Sequence, residues 1–228
     1  MTERLLDVIA IDGPAGAGKS TTARLVAERL NFTYLDTGAM YRALTLKILT
    51  LDIDITNKDQ LNGLLSDTRI QLQQRGGRLN VLLDGKDVTR QIRSKAVSQA
   101  VANVAALKPV RDWMLKLQRE AGAAGKIVAE GRDIGTVVFP DARLKIFLTA
   151  SLEQRARRRK KEFSRRREPV DLAQVAQALQ QRDLLDSTRA NGPLRQAEDA
   201  IVLDTSNLTI EQQVDFVIDQ WQRALSER

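Results

Sequence analysis

Short apolar runs recur along the chain, separated mostly by stretches with a helical period. Asp7-Val8-Ile9-Ala10-Ile11, Phe32-Thr33-Tyr34-Leu35, Lys126-Ile127-Val128-Ala129-Glu130, Leu144-Lys145-Ile146-Phe147-Leu148 and Ala200-Ile201-Val202-Leu203-Asp204 each read as a strand. Elsewhere apolar positions gather on single helix faces. Ala23, Leu25, Val26 and Leu30 form one, and Met40, Ala43, Leu44, Ile48 and Leu51 a second. Val110, Trp113, Met114 and Leu117 form a third, and Val214, Val217, Ile218, Trp221 and Leu225 a fourth. Asp36 and Ser94 stand where helix caps are expected, Pro109 suits a first turn, and Thr209 with Gln212 forms a capping box. Five apolar strands alternating mostly with helices predict an α/β fold, a five-stranded parallel sheet with helices on both faces.

The rhythm breaks between about residues 57 and 104. Leu61, Leu64 and Leu65 suggest a short helix. Ile70–Gln73 and Leu79–Leu82 read as strands joined through Arg75-Gly76-Gly77-Arg78, a hairpin signal, and Asp84-Gly85 supplies another turn. Ser94 then caps a helix carrying Val97, Val101 and Val104 on one face. This predicts a small α+β insertion at about 57–104 in a core formed by about 1–56, 105–150 and 170–228, with a basic segment at about 151–169, all within one unit over 1–228.

The helix expected from about Asp171 changes character along its length. Leu172, Val175 and Leu179 share a face, and the same stripe continues through Arg182, Asp186 and Arg189. Unpaired buried charges cost several kcal/mol each, so these three should pair with one another or meet a charged ligand.

Gly13 to Ser20, GPAGAGKS, reads G-x-x-x-x-G-K-[ST], the phosphate-binding P-loop, and it follows the first strand and opens the first helix. Its glycines let backbone N–H groups converge, Lys19 adds a cation and Ser20 a hydroxyl that can reach Mg²⁺. The 228 residues include no histidine and no cysteine, which excludes disulfides, thiolate chemistry, His-based triads and the usual zinc sites. Catalysis must then use Lys, Arg, Asp, Glu and Mg²⁺. No apolar run approaches the roughly 18 residues that span a bilayer, and the N-terminal MTERLLDVIA lacks a cleavable hydrophobic segment, so a cytoplasmic protein with no membrane contact is expected. Of the net charge of +7, Arg155 to Arg167 carry a local +8, leaving −1 over the rest. Such a short segment fits either a solvated helix or a mobile lid whose arginines close over phosphates.

Further cations lie on separate elements off the P-loop: Arg42, Arg111, Arg132, Arg182 and Arg189. Arg42 sits in the first turn of a helix, where it opposes the helix dipole, so an anionic partner is expected. Arg111 lies off the stripe of its helix. Arg132 and Asp133 stand between Gly131 and Gly135, at the carboxyl end of a strand where open α/β sheets bind ligands. There is no N-K-x-D guanine-reading motif. A second group of cations implies a second anion beside a triphosphate, as phosphoryl transfer to a phosphorylated acceptor requires.

GPAGAGKST, YLDTGAMYRA, DVTRQIR, VAEGRDIGTVVFPDA, the RARRR segment, QRDLLDSTR and DAIVLDTSNLT together resemble the bacterial cytidylate kinases over essentially the whole chain. The resemblance implies a P-loop NTPase fold with an inserted monophosphate-binding domain and an arginine-rich lid, and ATP-dependent phosphorylation of CMP and dCMP. A kinase for UMP or AMP and a nucleic-acid-binding P-loop protein are the alternatives; a monomer that binds no nucleic acid is expected. By the same resemblance Gly13, Pro14, Ala15, Gly16, Ala17, Gly18, Lys19, Ser20 and Thr21 bind ATP, with Ser20 at Mg²⁺, partly through water. Arg42, Arg132 and Arg189 hold the acceptor phosphate near Thr37 and Tyr41, Asp186 takes ribose hydroxyls, and Asp133 and Arg111 read the cytosine edge. Lys19, Arg132 and Arg182 act on the migrating group, and Arg155, Arg158 and Arg159 meet ATP phosphates from the lid. Where family members often place a serine that helps hold the base, this chain has Ala102.

Overall fold

The structure, a computed structural model, describes residues 6–75, 78–165 and 170–226. Met1 to Leu5, the expected Gly76-Gly77 junction and positions 166–169 of the expected lid lie outside them. In chain order the elements are β1 (Leu6–Asp12), α1 (Lys19–Leu30), β2 (Thr33–Asp36), α2 (Thr37–Thr50), α3 (Lys58–Ser66), β3 (Ile70–Arg75), β4 (Arg78–Leu83), β5 (Lys86–Asp87), α4 (Lys95–Ala106) and α5 (Lys108–Gly122). They continue with β6 (Ile127–Gly131), β7 (Ala142–Thr149), α6 (Leu152–Arg165), α7 (Leu172–Thr188), β8 (Ile201–Asp204) and α8 (Ile210–Ser226). The chain divides into two compact units, Met1–Tyr34 with Ala124–Arg228, and Leu35–Ala123.

The five apolar runs form one sheet in the order β2-β6-β1-β7-β8, with β6 and β7 parallel to β1 and β8 parallel to β7. β1 lies at its centre because Val8, Ile9, Ala10 and Ile11 offer apolar side chains on both faces, and all four are wholly buried. Ala23, Val26 and Ala27 of α1 and Val214, Val217 and Trp221 of α8 complete this core, where Phe32 meets Trp221 edge to face at 5.4 Å. The capping box of α8 forms as expected: Thr209 N donates to Gln212 Oε1 at 2.9 Å and Gln212 N to Thr209 Oγ1 at 3.2 Å. Leu225, expected on the buried face, is exposed.

In the second unit β3, β4 and β5 make an antiparallel sheet. Its apolar face, with Val81 and Leu83, shares a core with Ala39 and Ala43 of α2 and with Val88 and Ile92. This core lies within the unit Leu35–Ala123, which includes the 57–104 segment expected as an insertion. Asp36 caps α2 by accepting from Ala39 N at 2.8 Å, and Ser94 caps α4 through Val97 N at 3.4 Å. On α5 the buried positions are Val110, Arg111, Met114 and Gln118, whereas Trp113 and Leu117 are half-buried. The inward face therefore takes in Arg111, which the apolar stripe had left outside.

β1 ends one residue before Gly13, whose φ of +146° favours glycine. A β-carbon there would lie 2.0 Å from the carbonyl oxygen of Leu148 on the neighbouring strand. Gly13→Ala combines backbone strain with overpacking and is expected to lower stability by about 3 kcal/mol or more. A urea-unfolding midpoint equal to that of the parent protein would contradict this close approach.

Candidate active site

The loop from Gly13 to Gly18 is shaped by three residues of positive φ: Gly13, Gly16 at +79° and Gly18 at +103°. Gly16 and Gly18 also leave no room for a side chain. A β-carbon on Gly16 would come within 3.2 Å of Arg155 Cβ, and one on Gly18 within 2.9 Å of Gln213 Oε1. Other elements brace the loop from outside. Thr205, wholly buried just past β8, sets its hydroxyl 2.9 Å from the carbonyl of Ala17 and 3.0 Å from that of Thr149. Gln213 of α8 accepts from Thr22 Oγ1 at 2.9 Å.

Lys19 opens α1, is 5% exposed and folds back to donate to the carbonyl of Pro14 at 2.8 Å. Burial lowers its pKa to about 7, and the positive charge of Arg132 adds to the effect, against Glu130, Asp12 and Asp186. Next to it the exposed Ser20 donates its hydroxyl to Glu130 Oε1 at 2.5 Å, and Tyr34 OH approaches the same oxygen at 3.3 Å. Glu130 is the penultimate residue of β6 and Asp12 the last of β1, and both carboxylates are buried.

The charged continuation of the α7 stripe converges as expected for two of its three members. Asp186, 1% exposed, accepts from Arg132 Nε at 2.7 Å and from Arg182 Nε at 3.2 Å. Burial alone would raise the pKa of Asp186, but Arg132, Arg182 and Arg189 outweigh it and hold the carboxyl below its ordinary value. Burial likewise opposes the charge of Arg132, yet Asp186 and, more weakly, Glu130 and Asp183 leave its pKa raised. For Arg182 burial prevails, aided by Arg132, and its pKa is lowered. Arg189 follows the last helical residue in extended backbone, so it leaves the stripe. It donates to the carbonyl of Gly192 at 2.6 Å and pairs with Asp133 at 3.6 Å.

The basic segment is helical over its described part. Arg155 of α6 is buried, bonds the carbonyls of Ala150 and Ala15 and pairs with Asp183. Arg158 bonds Thr205 through its hydroxyl and its carbonyl, and reaches the carbonyl of Ala17 at 3.4 Å. Arg159 turns to Glu162 at 2.7 Å and lies 4.9 Å over the ring of Phe163. Two of the three lid arginines therefore reach the P-loop backbone, and the third is directed along its own helix.

The second unit carries the other expected residues. Arg42 donates to Ser98 Oγ at 3.0 Å and to the carbonyl of Ile92 at 3.4 Å. Arg111 donates to Tyr41 OH at 3.4 Å, and Thr37 and Ala102 are buried. Sequence reasoning had not assigned Asp12, Glu130, Asp183, Thr205 or Gln213 to the site. A signal existed for the first two, since each is a carboxylate at or next to the carboxyl end of an apolar strand, where ligands bind. Thr205 and Gln213 give no such signal, because their hydrogen bonds depend on the tertiary packing of β8 and α8.

A family model described as cytidylate kinase matches residues 9–223. A cytidylate kinase of Pelotomaculum thermopropionicum is 50% identical over 211 residues, covering 92% of this chain and 93% of that protein. One of Carboxydothermus hydrogenoformans is 50% identical over 92% of this chain and 95% of its own. Among solved structures, an uncharacterized protein from Eubacterium ventriosum matches with a TM-score of 0.52 at 11% identity, over 96% of this chain and 99% of that one, a likeness of fold alone.

The lysine titration has a measurable consequence. Lys19 is charged below about pH 7 and largely neutral above it in the free protein, whereas phosphate oxygens favour its charged form. Binding of ATP should therefore take up more protons through this group at pH 8 than at pH 6. Calorimetric titration in buffers of different ionisation enthalpy reads that number directly, and uptake that does not grow between pH 6 and 8 would contradict it.

Proposed function

Because the chain belongs to the cytidylate kinase family, we propose that it transfers the γ-phosphoryl group of ATP to CMP or dCMP, giving ADP and CDP or dCDP. The observation that carries this reading is the second set of charges beside the P-loop. Arg132 and Arg182 share Asp186, and Arg189 is held with Asp133. A simple triphosphatase has no use for a second buried set of cations, whereas bringing two polyanions together requires one.

In this reading the amides of residues 13–18, with Lys19, Ser20 and Thr21, bind the phosphates of ATP. Arg132 and Arg189 take the acceptor phosphate, Asp186 the ribose and Asp133 the base. By the family resemblance Thr37, Tyr41, Arg42 and Arg111 serve the acceptor as well. An acceptor phosphate is already a nucleophile, so no general base is needed. Lys19, Arg132 and Arg182 would neutralise charge spread over the equatorial oxygens of the migrating group. Arg155 and Arg158 would serve the donor side, where they already meet the P-loop backbone, and Arg159 would join them when the lid segment 151–169 closes and excludes water.

Mg²⁺ suits the donor set beside the lysine. Magnesium takes hard oxygen ligands and retains several waters, and the Ser20 hydroxyl with the buried carboxylate of Glu130 offers such oxygens. The ion would supply charge neutralisation between the β- and γ-phosphates. Among the described residues no helix is long and apolar enough to cross a membrane. We assign the enzyme to the cytoplasm, where its nucleotide substrates are.

Ala102 brings no hydroxyl to its buried position, which leaves base selection in this reading to Asp133 and Arg111. A carboxylate can accept from the cytosine amino group, and a guanidinium can donate to the ring acceptors. CMP and dCMP are expected to be the best acceptors in a panel of monophosphates with MgATP, and a preference for UMP or AMP would overturn the assignment. Asp133→Ala should reduce kcat/KM for CMP by about 10- to 100-fold, the scale of a charged hydrogen bond, and lower the CMP:UMP ratio. An unchanged ratio would remove Asp133 from base reading.

A further inference from the structure

Asp12 is the last residue of β1 and the residue before Gly13. It is 5% exposed, and its two oxygens point at two successive backbone amides of another segment. Ile134 N donates to Oδ1 at 2.8 Å and Gly135 N to Oδ2 at 2.7 Å. These amides open a wide helical turn over Ile134–Val138, in which Val138 N bonds the carbonyl of Asp133 and Phe139 N that of Ile134. Amides that open a helical turn have no partner within it, and an unpaired buried one is costly, so the carboxylate acts as the cap of this turn. There is little room for another arrangement. A β-carbon on Gly135 would meet the Lys145 side chain at 3.1 Å and Asp12 Oδ2 at 3.5 Å.

Burying a carboxylate here is expensive. Its pKa is raised to about 6, by burial first and by the nearby Asp133 charge more weakly, against the two amide hydrogen bonds and Lys19. An asparagine would fit the space and avoid the charge, but it offers one acceptor oxygen and turns its NH₂ toward the other amide donor. Only a carboxylate caps both. The residues immediately before the capped amides are Arg132 and Asp133, whose side chains reach Asp186 and Arg189.

We propose that Asp12 is a positioning residue for phosphoryl transfer. Through Ile134 N and Gly135 N it fixes Arg132 and Asp133 to the strand that carries the P-loop, so that the two loops move as one body. Asp12 touches neither substrate. In-line transfer needs both phosphates held to fractions of an ångström, and a carboxylate shared between the root of one loop and the amides of the other removes the slack between them. This rests on the reading that Arg132 and Asp133 serve the acceptor.

The test compares Asp12→Asn with the parent and with Asp133→Ala. Asp12→Asn should raise the KM for CMP at least tenfold, lower kcat at least tenfold and change the KM for ATP less than threefold, with circular dichroism unaltered. A merely structural cap predicts that both KM values move together, and that result, or a CMP KM within twofold of the parent, overturns the proposal. If Asp133→Ala leaves CMP kinetics unchanged while Asp12→Asn shows the split, Asp12 acts through Arg132, and the base-reading role of Asp133 fails by itself. Should Asp12→Asn not fold, hydrogen exchange in the parent protein decides. The amides of Ile134 and Gly135 should exchange at least 100-fold more slowly than unprotected ones, and rapid exchange overturns the clamp.

Discussion

The arrangement depends on one buried carboxylate. Asp186 receives Arg132 from the loop after β6 and Arg182 from its own helix one turn earlier, and it lies in nearly complete burial. Two guanidinium groups share this one carboxylate, with Glu130 and Asp183 acting on them more weakly, and an excess of cations of this kind favours the capture of an anion. Desolvation opposes every member of the triad, and their mutual attraction, with the charges of Glu130, Asp183 and Arg189, acts against it. The energetic effect of the network on stability is therefore small or adverse. In the proposed reaction such a network would act on catalysis instead, because fixed charges need no rearrangement when the migrating group develops charge.

The same logic extends outward to the P-loop. Glycines give the loop its shape, but glycine alone leaves it free to collapse. Collapse is opposed by the wholly buried hydroxyl of Thr205, by Gln213 through Thr22, and by Arg155 and Arg158, which hold the carbonyls of Ala15 and Ala17. Carbonyls drawn outward in this way leave the amides of the same peptides facing inward, as an anion requires. Through Arg155 and Arg158 the basic helix thus braces the loop. Arg155 also pairs with Asp183 of α7, so the helix that contributes Arg182 and Asp186 is tied to the donor loop.

The strands were legible because β1 and β6 are buried on both faces and appear as apolar runs, while β7 keeps an alternating buried face. The P-loop was legible because its spacing is fixed by backbone geometry. The charged stripe of α7 was legible because Leu172, Val175 and Leu179 fixed a face that then had to carry Arg182 and Asp186 inward. Arg189 departed from it because the helix stops one residue earlier. Elsewhere the pattern was insufficient. Arg111 is buried though it lies off an apolar stripe, since Tyr41 gives it a polar partner that no periodicity announces. That Ala39 and Ala43, two small residues of α2, share a core with the antiparallel sheet is a tertiary fact. Asp12 was overlooked because a single polar residue at the end of a strand usually means only that the strand has ended.

A chain without histidine or cysteine must separate fixed charge from adjustable charge by other means. Burial pushes cationic side chains toward neutrality, and it acts on lysine and arginine alike. Lys19 is lowered to about 7, within reach of physiological pH, whereas arginine is the stronger base, so that Arg182, although lowered in the same direction, keeps its charge. Arginine is therefore the residue that can be buried beside an empty acceptor site and remain charged. The lysine can relinquish its proton until the triphosphate arrives, which lessens repulsion toward Arg132 in the free protein. The lysine then carries its full charge when ATP is bound, the state in which it offsets part of the negative charge that an acceptor phosphate has to approach.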